Sequence, residues 1–304
     1  MISLEQKIKD GWTVVTAELT PPKGTDLSDI FAKARTFQGC VDAINLTESA
    51  RALMAIAPTA VAKLLLDQGV ETIVQMTSRD RNRIAIQADL LGAAVLGLRN
   101  FVFMGGDPPT VGDHPEAKPV FDLTASQMLA AARDLTLGRD MSGKPLKGAP
   151  QFLVGATVNP GAKDLEGEIL NTRRKLDAGA RFLQTQAIYD PRSLQRFVDA
   201  VKPEGVAILA GIIPLKSAKM ALWLNEKVPG IEVPAALIQE MHAAGSAEAE
   251  MEKGMEIAAR LVREVTEICH GVHVMAIGAE AHVPAILERS GVRRASRGTA
   301  MSLP

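Results

Sequence analysis

Carboxylate side chains follow two of the short apolar runs in this 304-residue chain. Glu18 ends the run "TVVTAE", and Asp107 comes two residues after the end of the run "NFVFMG". A carboxyl group at the end of a buried strand is partly desolvated, which suits it to exchange a proton. Glu18 is therefore a candidate general acid or base, although a surface or helix-capping glutamate would give the same local pattern.

The segment around Asp107 has a composition that would hold its carboxylate in one place. Gly105 and Gly106 allow a ligand to approach the backbone closely, and Pro108 and Pro109 stiffen the chain that leaves the site. We therefore expect Asp107 to be positioned for a ligand. An Asp-Pro turn without a ligand is the alternative.

Two glutamines lie on one face of the run "RFLQTQ". Gln184 and Gln186 point inward together if Phe182, on the same face, is a core residue at the opposite end of the strand. A buried amide needs hydrogen-bond partners, and a ligand with a planar donor and acceptor edge would supply them. A structural hydrogen bond to a neighbouring strand would explain the same residues.

The stretch "EGEILNTRRKLDAG", residues 166–179, has helical spacing and carries polar side chains on one side. Spacings of three and four residues bring together Glu168, Asn171, Arg174 and Lys175. Arginine and lysine suit phosphate, and a carboxylate suits sugar hydroxyls, so this side could be the rim of a nucleotide site. A solvated, ion-paired helix face is the ordinary alternative.

The apolar runs alternate with stretches of helical spacing. Gly69, Gly97 and Gly179 each come just before a predicted strand, which is typical of glycines that end helices. Eight runs occur, at residues 13–18, 41–46, 71–77, 100–105, 151–157, 181–186, 205–210 and 271–276. Eight such units in about 300 residues predict a (β/α)8 TIM barrel, a fold of the α/β class. A doubly wound open sheet is the alternative.

In a (β/α)8 barrel the active site is built from the loops that follow the strands. The polar residues at the predicted strand ends should therefore meet at one mouth of the barrel. Besides Glu18 and Asp107, they are Thr47, Glu48, Gln75, Thr77, Thr157, Asn159, Gln184 and Gln186. The sequence thus predicts a pocket in which carboxylates and amides converge.

The predicted barrel is one domain over residues 1–292, with extra helices within 234–269 before the last strand. The polar segment "GDPPTVGDHPEAKPVFD" after the fourth strand is longer than an ordinary connection, and such loops are often functional. We expect residues 293–304 to be a disordered basic tail.

Composition and missing motifs exclude several classes of protein. A formal net charge of −1 gives no general affinity for nucleic acid or anionic membranes. The two cysteines and five histidines show no ligand spacing, so we expect neither a disulfide framework nor a metal site. No signal peptide or membrane span is evident, which predicts a cytoplasmic protein. GxGxxG, P-loop, HExxH and GxSxG motifs are absent from the sequence.

Taken together, several of these segments resemble the methylenetetrahydrofolate reductase family. They are "AELTPP", "INLTESA", "VQMTSRDRN", "FMGGDPP", "ILNTRRKLDAGARFLQTQAIYD" and "LAGIIPL", in the family's order and with similar spacing. The resemblance implies a (β/α)8 barrel that reduces 5,10-methylenetetrahydrofolate to 5-methyltetrahydrofolate in one-carbon metabolism. Its electrons would come from NAD(P)H through a bound FAD.

The resemblance also implies roles for individual residues. Glu18 would protonate the folate as its five-membered ring opens to an iminium, and Asp107 would stabilise that cation beside the flavin. Gln186 would hold the pterin or the nicotinamide in turn. The implied flavin contacts are Thr47, Gln75, Gly106, Asp107, Asn159, Glu168, Asn171, Arg174 and Lys175.

Some positions depart from the family pattern. Gln75 stands where better-known members have histidine, and Ala218 lies near the place of an expected aromatic residue. FMN or a weakly bound flavin is therefore also compatible with the sequence. Two alternatives stay open: a pterin-binding barrel that transfers a methyl or one-carbon group without redox chemistry, and a partner-dependent folate-binding subunit. The resemblance likewise leaves open a homo-oligomer or a partner subunit.

Overall fold

A computed structural model describes residues 2–292, which form a closed barrel of eight parallel strands in chain order. The strands are β1 (Val14–Leu19), β2 (Ala43–Leu46), β3 (Thr72–Thr77), β4 (Asn100–Met104), β5 (Leu153–Val158), β6 (Phe182–Ala187), β7 (Ala207–Ile212) and β8 (Gly271–Val274). Pairing of β8 with β1 closes the ring. The prediction of a (β/α)8 barrel is confirmed, and the open sheet is wrong. The expected tail, 293–304, lies outside the described residues.

Helices alternate with the strands around the barrel, as parallel connections require. They are α1 (Leu4–Lys9), α2 (Ser28–Phe37), α3 (Pro58–Asp67), α4 (Arg83–Val95), α5 (Ala125–Thr136), α6 (Leu165–Asp177), α7 (Pro191–Val201), α8 (Ala218–Lys227), α9 (Ala235–His242), α10 (Ala247–Thr266) and α11 (Val283–Ser290). Short 3-10 turns occur at Ala50–Ala52, Pro109–Val111 and Glu280–His282. Helices α9 and α10 confirm the extra helices before the last strand.

Glycines end the helices that precede three of the strands. Gly69, Gly97 and Gly179 have φ values of 77°, 87° and 112°, in the region that residues with a Cβ atom rarely adopt. Each donates its N–H to a carbonyl group of the last helical turn, which satisfies an acceptor that the helix leaves unpaired. The glycines directly follow the C-cap residues Gln68, Leu96 and Ala178, so the interpretation that they end the helices is confirmed.

Alternation along the strands divides the apolar residues into two layers. One face of each strand packs outward against the helices, as Val15, Ala17 and Leu19 of β1 do. The other face fills the lower half of the barrel with a second apolar cluster: Leu4, Val14, Ala43, Ile73, Val102, Leu153, Phe182, Ala207 and Leu209. Because α1 contributes Leu4 to this cluster, it covers the end of the barrel where the strands begin.

The upper half of the barrel interior is polar. The next inward positions toward the strand ends are occupied by Thr16, Asn45, Gln75, Gln184 and His273, all of which are buried. Above them, the barrel opens at the C-terminal ends of its strands. The strands therefore place polar side chains around one opening, where the active sites of this fold occur.

Candidate active site

A cavity of about 430 Å³ occupies the C-terminal mouth of the barrel. It brings together most of the residues that the sequence predicted for the site: Glu18, Thr47, Gln75, Gly106, Asp107, Asn159, Glu168, Lys175 and Gln186. Asn171 and Arg174 are not among the residues that line it. The prediction that carboxylates and amides meet at one mouth is confirmed.

Glu18 lies at the end of β1, partly covered by the side chains of two other strands. Gln75 of β3 donates a hydrogen bond from Nε2 to Oε2 of Glu18 at 3.0 Å. The imidazole Nε2 of His273, on β8, lies 3.6 Å from the same oxygen. The Glu18 side chain keeps 19% of its surface exposed, so the carboxyl group is both held by neighbours and open to the cavity.

His273 lines the same cavity, although the sequence did not single it out. Its ring is buried, and its Nδ1 lies 3.0 Å from Oγ1 of Thr16 on β1. Spacing between the histidines of the sequence does not identify it. The useful signal was strand alternation, because Gly271, His273 and Met275 take the inward positions of "GVHVMA".

Asp107 lies at the mouth of the cavity, with its carboxylate tied to the loop after β2. Its Oδ2 accepts a hydrogen bond from the backbone N–H of Arg51 at 3.0 Å. Its backbone carbonyl accepts one from Nη1 of Arg79 at 3.3 Å. The expectation that Asp107 is held in place therefore has a structural basis in contacts with two neighbouring loops, in addition to the prolines that follow it.

Gly106 is required by the packing beside Asp107. Its φ of +88° favours glycine, and a Cβ atom there would lie 3.0 Å from Cβ of Thr77. A larger residue would therefore push the β4 loop away from β3. The glycine lets the backbone that carries Asp107 pass close to the neighbouring strand end.

The loop after β2 is strained where it meets Asp107. Ser49, Arg51 and Ala52 have φ values of 42°, 56° and 54°, and none of them is glycine. Left-handed backbone of this kind costs on the order of 1 kcal/mol or more per residue and persists where surrounding contacts determine it. The carboxylate of Asp107 supplies one contact, and the backbone of Gly112, where a Cβ atom would overlap the Ala52 carbonyl, supplies another.

The two polar residues at the end of β2 have different surroundings. Glu48 is buried and satisfied, since its Oε2 accepts from the backbone N–H of Thr77 at 2.6 Å and its Oε1 accepts from Nη2 of Arg81 at 2.7 Å. Thr47 lines the cavity, and its Oγ1 is buried without a hydrogen-bond partner in the described chain. Buried hydroxyl groups are normally paired, so Thr47 has a hydrogen bond to offer to a ligand.

The two glutamines of β6 have separate environments. Gln184 pairs across the barrel with Asn45, whose Nδ2 donates to Oε1 of Gln184 at 3.2 Å, and its own Nε2 donates back to Oδ1 of Asn45 at 3.4 Å. Gln184 lines the cavity, and Asn45 lies across the barrel from it, on β2. Gln186 stands one inward position higher, and its Oε1 accepts from the backbone N–H of Ala187 at 3.0 Å.

Helix α6 presents a buried cation to the cavity wall. Nζ of Lys175 donates to the carbonyl of Thr157 at 2.8 Å and lies 3.8 Å from Oε1 of Glu168. Burial lowers the pKa of Lys175, and the charge of Glu168 opposes that shift. An anionic group entering the cavity would likewise favour the charged ammonium.

The other polar residues of this helix side lie farther from the cavity. Asn171 donates from Nδ2 to Oε2 of Glu168 at 3.1 Å, so it orients a lining residue. Arg174 is exposed. The helical spacing therefore identified one side of α6 correctly for Glu168 and Lys175, while Arg174 lies beyond the edge of the cavity.

Among residues 2–292, no group of three His, Cys, Asp or Glu side chains is placed to hold a metal ion. No helix in that part of the chain has the length and apolar character needed to span a membrane.

The fold and the cavity define the class of protein: a (β/α)8 barrel with an acid–base pocket of carboxylates, amides and one imidazole at its mouth. A family model described as methylenetetrahydrofolate reductase matches residues 3–291. The chain belongs to the methylenetetrahydrofolate reductase family.

Curated relatives carry the same name. Methylenetetrahydrofolate reductase 2 of Schizosaccharomyces pombe is 26% identical over 310 residues, which cover 96% of this chain and 47% of the relative. The 5,10-methylenetetrahydrofolate reductase of Escherichia coli is 30% identical over 145 residues, 47% of this chain and 43% of the relative. The matched regions thus span less than half of the length of either relative.

Solved structures share the barrel. An uncharacterised protein from Clostridium thermocellum, described as binding two copies of 5-methyl-5,6,7,8-tetrahydrofolic acid, has a TM-score of 0.65 and 16% identity, with 95% of this chain and 99% of that chain covered. EDTA monooxygenase from Chelativorans sp. BNC1 has a TM-score of 0.56 and 12% identity, with coverages of 94% and 96%. At these identities the likeness confirms the fold alone.

Proposed function

We propose that this protein reduces 5,10-methylenetetrahydrofolate to 5-methyltetrahydrofolate with electrons from NAD(P)H, and that it acts in the cytoplasm. The observation that carries the proposal is the presence of Glu18 and Asp107 in one cavity of a chain that matches the reductase family over residues 3–291. The described ligand of the Clostridium thermocellum protein supports a folate as the substrate.

Glu18 is the proposed acid of the reaction. Opening of the five-membered folate ring releases a nitrogen that must take up a proton, and the carboxyl group of Glu18 would donate it. The group is suited to this because Gln75 orients it while part of its surface stays open to the cavity. Positioned acid catalysis of this kind typically contributes about 10²- to 10⁴-fold in rate.

Asp107 is the proposed electrostatic partner of the opened folate. Ring opening gives an iminium cation, and a fixed carboxylate stabilises a cation without having to reorganise during the reaction. The hydrogen bonds from Arg51 and Arg79 keep Asp107 at the mouth of the cavity. Gln186, on the neighbouring wall, would orient the pterin through its amide.

The residues of the cavity wall fit a flavin. The unpaired hydroxyl of Thr47 has a hydrogen bond to offer, Gly106 keeps the wall flat beside Asp107, and Lys175 supplies a buried positive charge. A bound FAD, or FMN as the alternative, would supply the transfer of hydride from NAD(P)H to the folate. Thr47, Gln75, Gly106, Asp107, Asn159, Glu168 and Lys175 would hold it, with Asn171 orienting Glu168 and Arg174 at the outer rim.

The proposal is tested on the purified full chain supplied with FAD or FMN. We expect NADH or NADPH to bleach the flavin absorbance under anaerobic conditions, and added methylenetetrahydrofolate to restore it. Mass spectrometry of the products should then show 5-methyltetrahydrofolate. The proposal fails if no methyltetrahydrofolate forms with any of the four combinations of flavin and nicotinamide.

A further inference from the structure

We propose that His273 is a positioning residue that directs the acidic proton of Glu18 toward the substrate. The amide of Gln75 donates to one carboxyl oxygen of Glu18 and the imidazole lies beside the same oxygen, which leaves the other oxygen to carry the proton. This inference rests on the proposed reductase function, because it assigns a role to the acid of that reaction.

Two nitrogen atoms converge on the same oxygen of Glu18. Nε2 of Gln75 lies 3.0 Å from Oε2, and Nε2 of His273 lies 3.6 Å from it. The amide nitrogen of glutamine is a donor only. An oxygen that accepts from such donors is the less favourable place for the carboxyl proton, so the proton of Glu18 is placed on Oε1.

Oε1 is the oxygen that a substrate can reach. It accepts no hydrogen bond from the described residues, and the buried side-chain oxygens without a partner there are Oγ1 of Thr47 and Oγ1 of Thr172. Oε1 of Glu18 is therefore not buried, and Glu18 lines the cavity. Its proton would face the folate nitrogen that must receive it.

This arrangement needs the imidazole proton on Nε2 of His273, and Thr16 contacts the other ring nitrogen. Its Oγ1 lies 3.0 Å from Nδ1 of His273 and 3.4 Å from the carbonyl of Val272, and a hydroxyl has one proton to donate. When the hydroxyl donates to Nδ1, the shorter contact, the imidazole proton is on Nε2, where it faces Glu18. When it donates to Val272, it can accept from Nδ1–H, which gives the other tautomer. The other tautomer would turn the lone pair of Nε2 toward a carboxylate, which is electrostatically unfavourable.

Among the residues beside His273 on its own strand and on the two adjacent strands, Glu18 is the one that can carry a charge. Strand β8 pairs with β1 and β7, where Thr16 and Gly211 stand opposite His273. Neither of these residues ionises. Met275, the next inward residue of β8, is also uncharged, so no other charge on these three strands is placed beside the imidazole.

The proton movement balances without another reactant. As the folate ring opens, the Oε1–H bond of Glu18 breaks and an N–H bond forms on the folate. The resulting carboxylate is stabilised by the donors on Oε2. Glu18 then regains a proton from water through the open mouth of the cavity.

Substitution of His273 tests the inference. His273→Leu removes the donor, and we expect kcat for methylenetetrahydrofolate reduction to fall about 10- to 100-fold with KM nearly unchanged. His273→Gln keeps an N–H donor and should recover a large part of that loss. His242→Leu, an exposed histidine at the end of α9, is the matched control and should leave kcat unchanged.

Thr16 provides a second and smaller test. Thr16→Val removes the hydroxyl that contacts Nδ1 of His273, and we expect kcat to fall about 3- to 10-fold, whereas Thr16→Ser should retain most of the rate. Thermal unfolding of each variant identifies any that fail to fold. If Thr16→Val and Thr16→Ser lose the rate equally, the tautomer argument is wrong.

A double variant separates positioning from a general structural effect. In a Glu18→Gln background there is no acidic proton to direct, so His273→Leu should cause no further loss in kcat. An added 10-fold loss there, or an unchanged kcat in the His273→Leu single variant, would overturn the inference. If the unsubstituted protein makes no methyltetrahydrofolate, the proposed function fails instead, so the two failures are distinguishable.

Discussion

The lower and upper halves of the barrel interior are built from the same strands and have opposite chemistry. On β1, Val14 belongs to the lower apolar cluster, whereas Glu18 lines the cavity. On β6, Phe182 fills the lower half, and Gln184 and Gln186 line the cavity. Each step of two residues moves an inward side chain about 6.6 Å along the strand, in the direction of the mouth.

The contrast shows how one fold separates stability from function. The lower half is closed by α1 and excludes water, so its apolar side chains contribute to the free energy of folding. The upper half faces the cavity, and its polar groups are paired with one another or left for a ligand. Substitutions in the two halves should therefore affect different measurements.

The largest effect should come from the lower half. Phe182→Ala removes a fully buried ring, and we expect it to lower the free energy of unfolding by about 3–5 kcal/mol, because a cavity remains. Urea denaturation measures the change. Trp223→Ala, at a partly exposed aromatic residue on α8, is the control and should cost much less. Equal losses of unfolding free energy in both variants would show that a residue of the lower cluster contributes no more to stability than an exposed one.

An effect of similar size, on activity and not on stability, should come from the C-terminal end of β1. Glu18→Gln should lower the rate of folate reduction at least about 10²-fold, or roughly 3 kcal/mol in activation free energy, while stability stays near that of the parent protein. Reduction of the flavin by NAD(P)H should remain largely intact, which stopped-flow absorbance can measure.

Glu5 of α1, whose side chain is partly exposed, offers a control, since Glu5→Gln should change neither half-reaction. Equal loss of both half-reactions in Glu18→Gln would indicate instead that Glu18 is a structural residue or a cofactor ligand.

The smallest effect concerns the boundary between the halves, where Asn45 and Gln184 pair across the barrel. Asn45→Leu leaves the amide of Gln184 buried and unpaired, which should lower the free energy of unfolding by about 1–3 kcal/mol. Adding Gln184→Leu should recover most of that loss, because both polar groups are then gone. A double-mutant cycle in urea measures the coupling, and simple additivity of the two losses would argue against the pair.

Much of the site could be predicted from local patterns. Apolar runs located the strands to within a few residues, and their alternation showed that Gln184 and Gln186 share the face of Phe182. Glu18 and Asp107 were found because each follows a strand in a fold whose strand ends share one mouth. The resemblance to a known family then supplied a reaction for these residues.

Other contacts could not be predicted from those patterns. His273 meets Glu18 because β8 closes the ring against β1, across 255 residues of sequence. The hydrogen bond from Arg51 to Asp107 joins the loops after β2 and β4, and the strained backbone of the first loop left no local signal. Arg174 shares a helix side with Lys175 in the sequence, yet lies past the edge of the cavity.

The local pattern of the sequence predicts the number of strands, the residues that face inward and the two carboxylates at the mouth. It can do so because alternation and burial repeat over short distances. The partners of those carboxylates depended on closure of the barrel. Gln75 and His273 lie beside one oxygen of Glu18, and the loop after β2 anchors Asp107. Both arrangements require strands and loops that are distant in sequence to meet at fixed separations. Only the packed barrel sets those separations.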